Sequence, residues 1–302
     1  MVVFAYDDYG NIVEEIRFTE QILTHNIMII EEYIRRKSLE GCSDNTLRQY
    51  HDYVSQLSNS IGKRLEDMNT TDIRSFLSNY QETRKCTNRT MDNMRRAFSS
   101  FYNFIEEEYR ILNPVKRIHK IKSEKTLHTP FTDEEIVMLQ DACKNIREQA
   151  ILDFLSSSGV RVSELCSLNR NAVSLITREG IVFGKGSKER KIYIDARTKV
   201  HLEKYLSKRT DFNQALFVTA NAPFNRLTKT GCEYLIAQIG MRASVERCHP
   251  HRFRRTLATR LIDRGVPIEQ VQQILGHTKI DTTLIYAQVN QSNVKLNHSK
   301  FA

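Results

Sequence analysis

HRFRRTLATRLIDRGVPIEQVQQILGHTKIDTTLIY, running from His251 to Tyr286, carries two histidines, an arginine pair and a tyrosine on what reads as a run of short helices. His251 and Arg254 stand three apart, so a helix places them on one face. Leu257, Ala258, Leu261 and Ile262 supply the neighbouring apolar stripe, and Gly265 followed by Pro267 gives a stop and then a restart. The next helix, Pro267 to Leu275, is expected to end at Gly276, which leaves His277 just past it. Asp281 then caps a further short helix bearing Tyr286. Arg255 is expected to point off the face shared by His251 and Arg254, toward backbone phosphate or solvent. Polar groups that return to one place at helix ends and turns suit a phosphate.

Upstream, Thr132-Asp133-Glu134-Glu135 is a capping box ahead of Ile136, Leu139 and Ala142, and a second helix runs through Ile151, Leu152 and Leu155. Arg161 follows Gly159 at a turn where another helix begins, with Glu164 three residues on, spaced to hold the guanidinium. A structural ion pair is the plainer alternative. Gly180 to Phe183, a glycine-rich basic turn from Gly184 to Arg190, and Lys191 to Ile194 read as a β-hairpin. Lys185 lies between two glycines, which allows close approach to a partner. GKGSK lacks the GxxxxGK[ST] pattern and no helix follows, so nucleotide binding is rejected. Helices over Ala196 to Ser207 and Lys229 to Ile239, and a short strand at Leu216 to Val218, complete this part.

The first part of the chain reads as helical from Gln21 to about Glu108. Four apolar stripes mark it: Ile22, Leu23, Ile27, Ile30 and Ile34; Leu47, Tyr50, Val54 and Leu57; Ile73, Phe76, Leu77 and Tyr80; and Met91, Met94, Phe98, Phe101, Phe104 and Ile105. These describe a four-helix domain over 21–112. Lys85, Arg89, Arg95 and Arg96 cluster around the start of the fourth helix, where backbone N–H groups and side-chain donors suit phosphate oxygens. Pro114 and Pro130 with Lys116, Arg117, Lys120, Lys122 and Lys125 mark a basic interdomain linker over 113–130, either a DNA clamp or a solvated tether. Residues 131–302 form the second domain and its tail. Residues 1–18 read as two β-prone runs around Asp7-Asp8-Tyr9-Gly10-Asn11, a hairpin or a poorly ordered leader over 1–20.

Forty-five Lys and Arg against 36 Asp and Glu give a net charge of +9, which favours a polyanionic partner. No stretch reaches the roughly 18 apolar residues of a membrane span, and the N-terminus lacks signal-peptide order, so a cytoplasmic protein is expected. The six scattered cysteines include no CxxC and fit reduced thiols. Cys248-His249-Pro250-His251 has the look of half a metal site but no second ligand pair. Neither a metal nor another cofactor is expected, since a metal-dependent nuclease would show a carboxylate cluster and this polar set is cationic.

GVRVSEL, GKGSKER, HPHRFRRTLATRL and LGHTKIDTTLIY, in this order, resemble the signatures of the tyrosine recombinase (phage integrase) family, most closely its Xer-like members. The resemblance runs from about Gln21 to the C-terminus. It implies a mainly α fold with a small β-sheet: a SAM-like core-binding domain, then a catalytic domain. It carries Arg161, Lys185, His251, Arg254, His277 and Tyr286 onto the family's catalytic positions, with none substituted. It further implies that Tyr286 attacks the scissile phosphodiester to form a 3′-phosphotyrosyl bond and release a 5′-hydroxyl, without ATP. His251 is then the candidate to accept the tyrosine's proton and Lys185 to protonate the leaving oxygen, with Lys188 the competitor. The implied partner is double-stranded DNA with inverted-repeat half-sites. The implied assembly is a homo-oligomer, a dimer per site and a tetramer in synapsis. A tail bearing Val289, Val294 and Leu296 docks onto a neighbour or packs in cis. A type IB topoisomerase-like enzyme and a catalytically silent DNA-binding protein are the alternatives.

Overall fold

Start signals in the sequence become caps in the structure. The computed structural model describes residues 14–123, 129–184 and 189–276, without the side chains of 14–19. The chain divides into two units, 1–126 and 127–302. The first carries α1 (Glu14–Leu39), α2 (Asp44–Ile61), α3 (Thr70–Arg84) and α4 (Asn88–Tyr109). Ser43 caps α2, Asn69 and Asp72 form a capping box on α3, and Thr87 accepts from the Thr90 N–H to cap α4. The apolar faces so set out close over Val54, Leu57, Ile73, Phe76, Met94, Phe98 and Phe101. Tyr33 of α1 meets Phe101 edge-on at 5.3 Å, and its hydroxyl donates to Ser100 Oγ at 2.9 Å. Each fully buried Phe contributes about 1.5–3 kcal/mol. One polar group is sealed in with them: the Asn26 amide donates to Ser58 Oγ and the Lys63 carbonyl and accepts from the Leu65 N–H, all within 3.0 Å.

Three expectations for this unit change. Helix α1 begins at Glu14, so 14–18 are helical and not the second run of a hairpin; residues 1–13 lie outside the described residues. The buried face of α1 is Ile22, Asn26, Ile29, Ile30 and Tyr33, and Ile27 is exposed, because Asn26 and Tyr33 find buried partners and turn the helix toward them. The expected linker is not a free tether. Pro114–Arg117 forms a 3-10 turn, and Val115, Ile118 and Ile121 pack on the first core. The Ile121 N–H donates to Asp92 and the Asn88 amide to the Lys122 carbonyl, so 113–122 is fastened to the helices.

In the second unit Thr132 and Glu135 close the capping box of α5 (Asp133–Asp141). Then follow α6 (Ile146–Ser158), α7 (Val162–Ser167), β1 (Val173–Ser174), β2 (Glu179–Phe183), β3 (Glu189–Tyr193), α8 (Ala196–Ser207), α9 (Lys229–Arg242), α10 (Pro250–Asp263) and α11 (Ile268–Leu275). Helix α6 is buried on nearly every side, Ala150, Ile151, Leu152, Phe154 and Leu155 fully and Glu148 and Asp153 with them, so it forms the central rod on which α8 and α10 pack. Thr256 of α10 accepts from the Phe131 N–H at 2.8 Å, and Phe253 meets Phe131 at 4.7 Å, which ties α10 to the start of the unit.

The three strands form an antiparallel sheet in chain order, with Gly180 opposite Ile192 and Val182 opposite Arg190. Glu189 and Arg190 are therefore strand residues and not part of the turn. Leu216 to Val218 is buried chain joined to its neighbours by single bridges at Ala215 and Val218, not a strand, because it is pinned by Leu168, Asn169 and Arg226 on separate segments. No described helix is long and apolar enough to cross a membrane.

Candidate active site

Arg161 precedes α7 and binds its own helix. Its backbone N–H donates to Glu164 Oε2 at 2.8 Å and its Nη1 to Glu164 Oε1 at 2.7 Å. Arg190 of β3 reaches the same carboxylate, Nη2 to Oε2 at 2.7 Å. Glu164 is almost wholly buried. Burial alone would raise its pKa, but the Arg161 N–H and the two guanidinium groups outweigh it and hold the carboxyl below the usual range.

From this carboxylate the arginines extend to the end of α11. Arg190 Nη1 donates to the Ile274 carbonyl at 2.7 Å, Arg254 Nη2 to that of Leu275, and Arg161 Nη2 to that of Gly276 at 3.1 Å. Three side chains from three elements thus take three successive carbonyls at a helix C-terminus, where the helix dipole favours positive charge. Arg254 is 1 % exposed and also donates to the Gly159 carbonyl, which caps α6. Glycine suits this end: its φ is 65°, and a Cβ at Gly276 would stand 2.4 Å from Arg190 Cδ and force that side chain to move.

Beside Arg161 opens a cleft of about 650 Å³ lined by Val160, Arg161, Val162, Ser163, Lys229, Glu233, His249, Pro250 and His251. Pro250 begins α10, so His251 sits in its first turn and faces solvent at the mouth of the cleft. Partial burial of the ring, then the charges of Arg255, Arg254 and Arg161 with neighbouring His249, depress its pKa to about 4. The imidazole is neutral at pH 7 and able to accept a proton. Arg255 lines a separate pocket with Glu135, Glu246, His249 and Arg252, while its charge, ahead of that of Arg254, still helps to depress the His251 pKa.

The remaining candidates fall into groups. Lys185, Lys188, His277 and Tyr286 lie outside the described residues. In the first unit Lys85 caps α3 in the left-handed region with φ 49°, and it is exposed together with Arg89 and Arg96. Arg95 departs from them: its Nε donates to Asp92 Oδ1 at 2.9 Å, the same carboxylate oxygen that accepts the Ile121 N–H. Lys116 pairs with Glu106 at 2.6 Å, while Arg117 and Lys120 are exposed. Arg190 was not singled out from the sequence. Its signal is the inward alternation with Ile192, concealed as long as GKGSKER is read as one turn.

No group of three or more His, Cys, Asp or Glu gathers to hold a metal among the described residues. Burial drives the Cys248 thiol up to about 12, away from the thiolate a metal ligand needs. The chemistry available is that of a cationic, hydrogen-bonding cradle with a neutral base at its edge, suited to an anionic tetrahedral group.

Comparison with known proteins bears on this arrangement. Residues 129–293 match the model of the phage integrase family, and residues 29–110 match the phage integrase N-terminal SAM-like domain. The chain is 30% identical over 267 residues to tyrosine recombinase XerC of Staphylococcus aureus (strain USA300 / TCH1516), covering 84% of this chain and 89% of the relative. Among solved structures it is similar in fold to a Tn1549 transposon integrase in complex with circular intermediate DNA, with TM-score 0.71, 16% identity, and coverage of 85% and 94% of the two chains. It is likewise similar to XerH site-specific recombinase bound to palindromic difH substrate, with TM-score 0.70, 19% identity, and coverage of 87% and 82%.

Proposed function

Since the chain belongs to the phage integrase family and is a DNA strand-exchange enzyme of the tyrosine recombinase kind, we propose that it cuts and rejoins specific duplex sites through a phosphotyrosyl bond at Tyr286. The observation that supports this most directly is the meeting of Arg161 and Arg254 at the end of α11, ten residues before Tyr286 in the chain, with His251 neutral beside the cleft.

The steps follow from the groups. Tyr286 Oη attacks the scissile phosphorus as His251 takes its proton; a free phenol, with a pKa of about 10, is a poor nucleophile at pH 7. Charge grows on the nonbridging oxygens, where the planar forks of Arg161 and Arg254 and a donor from His277 offset it. The 5′ oxygen departs with a proton from Lys185, or from Lys188 in its place, leaving a 3′-phosphotyrosyl linkage. A 5′-hydroxyl from a second DNA reverses the sequence, so no external energy source enters. Exposed Arg89, Arg96, Lys85, Arg117 and Lys120 supply phosphate contacts that set register. We assign the acting form as a dimer on inverted half-sites and a tetramer in synapsis, with the C-terminal tail docked on a neighbour, in the cytoplasm.

The test is a suicide substrate nicked near the cleavage point, on which the protein should form a denaturant-resistant covalent adduct that Tyr286→Phe abolishes. An adduct that persists in Tyr286→Phe refutes the nucleophile. Failure of the unaltered protein to recombine a two-site plasmid that it nonetheless relaxes refutes strand exchange.

A further inference from the structure

Arg190 sits in a stretch whose composition suggests a DNA contact, yet the fold sends it the other way. Along β3 exposure alternates: Glu189, Lys191 and Tyr193 face out, while Arg190 and Ile192 face in. The Arg190 side chain is 9% exposed. Its two terminal nitrogens are divided between Glu164 Oε2 and the Ile274 carbonyl, both at 2.7 Å. The guanidinium therefore bridges the carboxylate that aims Arg161 to the end of the helix leading to Tyr286. The bare Cα of Gly276, its prospective Cβ 2.4 Å from Arg190 Cδ, leaves the passage through which the side chain reaches both.

We propose that Arg190 is a positioning residue for strand cleavage: it holds Glu164, and through it Arg161, in fixed relation to the C-terminal end of α11, and it does so without touching DNA. The assignment rests on the recombinase reading above. Its physical basis is a division of labour among three arginines. Arg161 borders the open cleft, and Arg161 and Arg254 are the forks assigned to the phosphate. Each also holds one carbonyl of α11, so a phosphate drawing on them weakens their grip on the helix end. Arg190 contributes the remaining contact from inside the protein, and keeps the helix end in place while the other two turn to substrate. Lysine cannot replace it, because a single ammonium lacks the rigid fork that reaches two acceptors on different segments.

The test compares Arg190→Lys and Arg190→Met with Ile192→Val, which loosens the same strand by one buried methyl and touches none of the bridge. Single-turnover cleavage of the nicked substrate should slow about 30-fold or more in both arginine variants, while affinity for an uncleaved site changes less than about threefold. The pH profile separates positioning from general loosening. The charges that bear most on Glu164 are Arg161 from its own turn and Arg190 from β3, while Lys229 and Glu233 of α9, which packs on α7, pair with each other at the cleft. His251 is governed by Arg255, Arg254, His249 and Arg161. Loss of Arg190 should thus move the acid limb of cleavage upward through Glu164, and Ile192→Val should leave it in place.

Hydrogen exchange read without DNA should show faster exchange of the 268–276 amides in Arg190→Met than in Ile192→Val. Wild-type cleavage in Arg190→Lys overturns the assignment, as do an unshifted acid limb or a loss confined to DNA affinity. If the unaltered protein forms no adduct, the recombinase reading falls and this assignment with it; the other outcomes fall on Arg190 alone.

Discussion

Gly276→Ala tests the construction of the site at its tightest point. The residue ends α11 with φ 65°, a conformation that costs alanine about 1–2 kcal/mol. The added methyl would also lie 2.4 Å from Arg190 Cδ and 2.9 Å from Nε, separations that force the arginine to move. Moving it strains two hydrogen bonds to a charged group, each worth about 1.5–3 kcal/mol when intact. With partial relaxation the substitution should lower stability by about 3–5 kcal/mol.

The same substitution in an Arg190→Ala background removes the collision and should cost only the backbone strain, about 1–2 kcal/mol. The assay is urea unfolding of the four full-length proteins in a double-mutant cycle, followed by a signal from the second unit. A coupling energy of about 2–3 kcal/mol is expected. Equal costs in the two backgrounds, or a cost below about 0.5 kcal/mol in the first, would refute the reasoning, since the glycine would then not be reserved for Arg190.

Three further outcomes follow from the structure. Asn26→Ala should destabilise the helical unit by about 2–4 kcal/mol in urea, because it strands the buried Leu65 N–H and Lys63 carbonyl that the amide now satisfies; a loss under about 1 kcal/mol would count against the buried hub. His251 should titrate near pH 4 by NMR in the DNA-free protein. Its folded pKa lies below the unfolded 6.5, so the unfolded chain binds the proton first, and the contribution to stability falls as pH drops from about 6.5 toward 4; a midpoint at or above 6.5 contradicts this. Arg96→Ala should lower the salt dependence of DNA binding by about one phosphate contact, whereas Arg95→Ala, which breaks the bond to Asp92, should lower stability and leave the slope unchanged. Equal slopes for the two variants would show that exposure does not distinguish them.

Much of the fold could be read from local chemistry. The Thr132 box announces a helix that the structure caps with that same side chain, and Ser43, Asn69 and Thr87 cap theirs in the same way, because capping is settled within three residues of chain. Where the deciding partner is distant, the reading fails. The β-branched residues near the N-terminus favour a strand, but helix α1 starts at Glu14 and is fixed by contacts with residues some 30 to 70 positions away. The basic, proline-marked stretch after α4 looks like a tether, although Val115, Ile118 and Ile121 carry an apolar period of three that fits the first core.

The site divides in the same way. Arg161 and Glu164 meet within one turn and are visible from spacing, whereas the bond from Arg190 to Ile274 crosses 84 residues and depends on where β3 begins.

The three carbonyls at the end of α11 also set a rule about length. Each arginine meets one residue in an unbroken series, Ile274, Leu275 and Gly276, so the match depends on the phase of the helix. Inserting a single residue in α11 turns its end by about 100° and advances it by about 1.5 Å, which takes every carbonyl off its guanidinium at once. Inserting four nearly restores the phase but carries the end roughly 6 Å onward. The three arginines therefore fix the number of residues between Pro267 and Gly276, because they read the phase of the helix end.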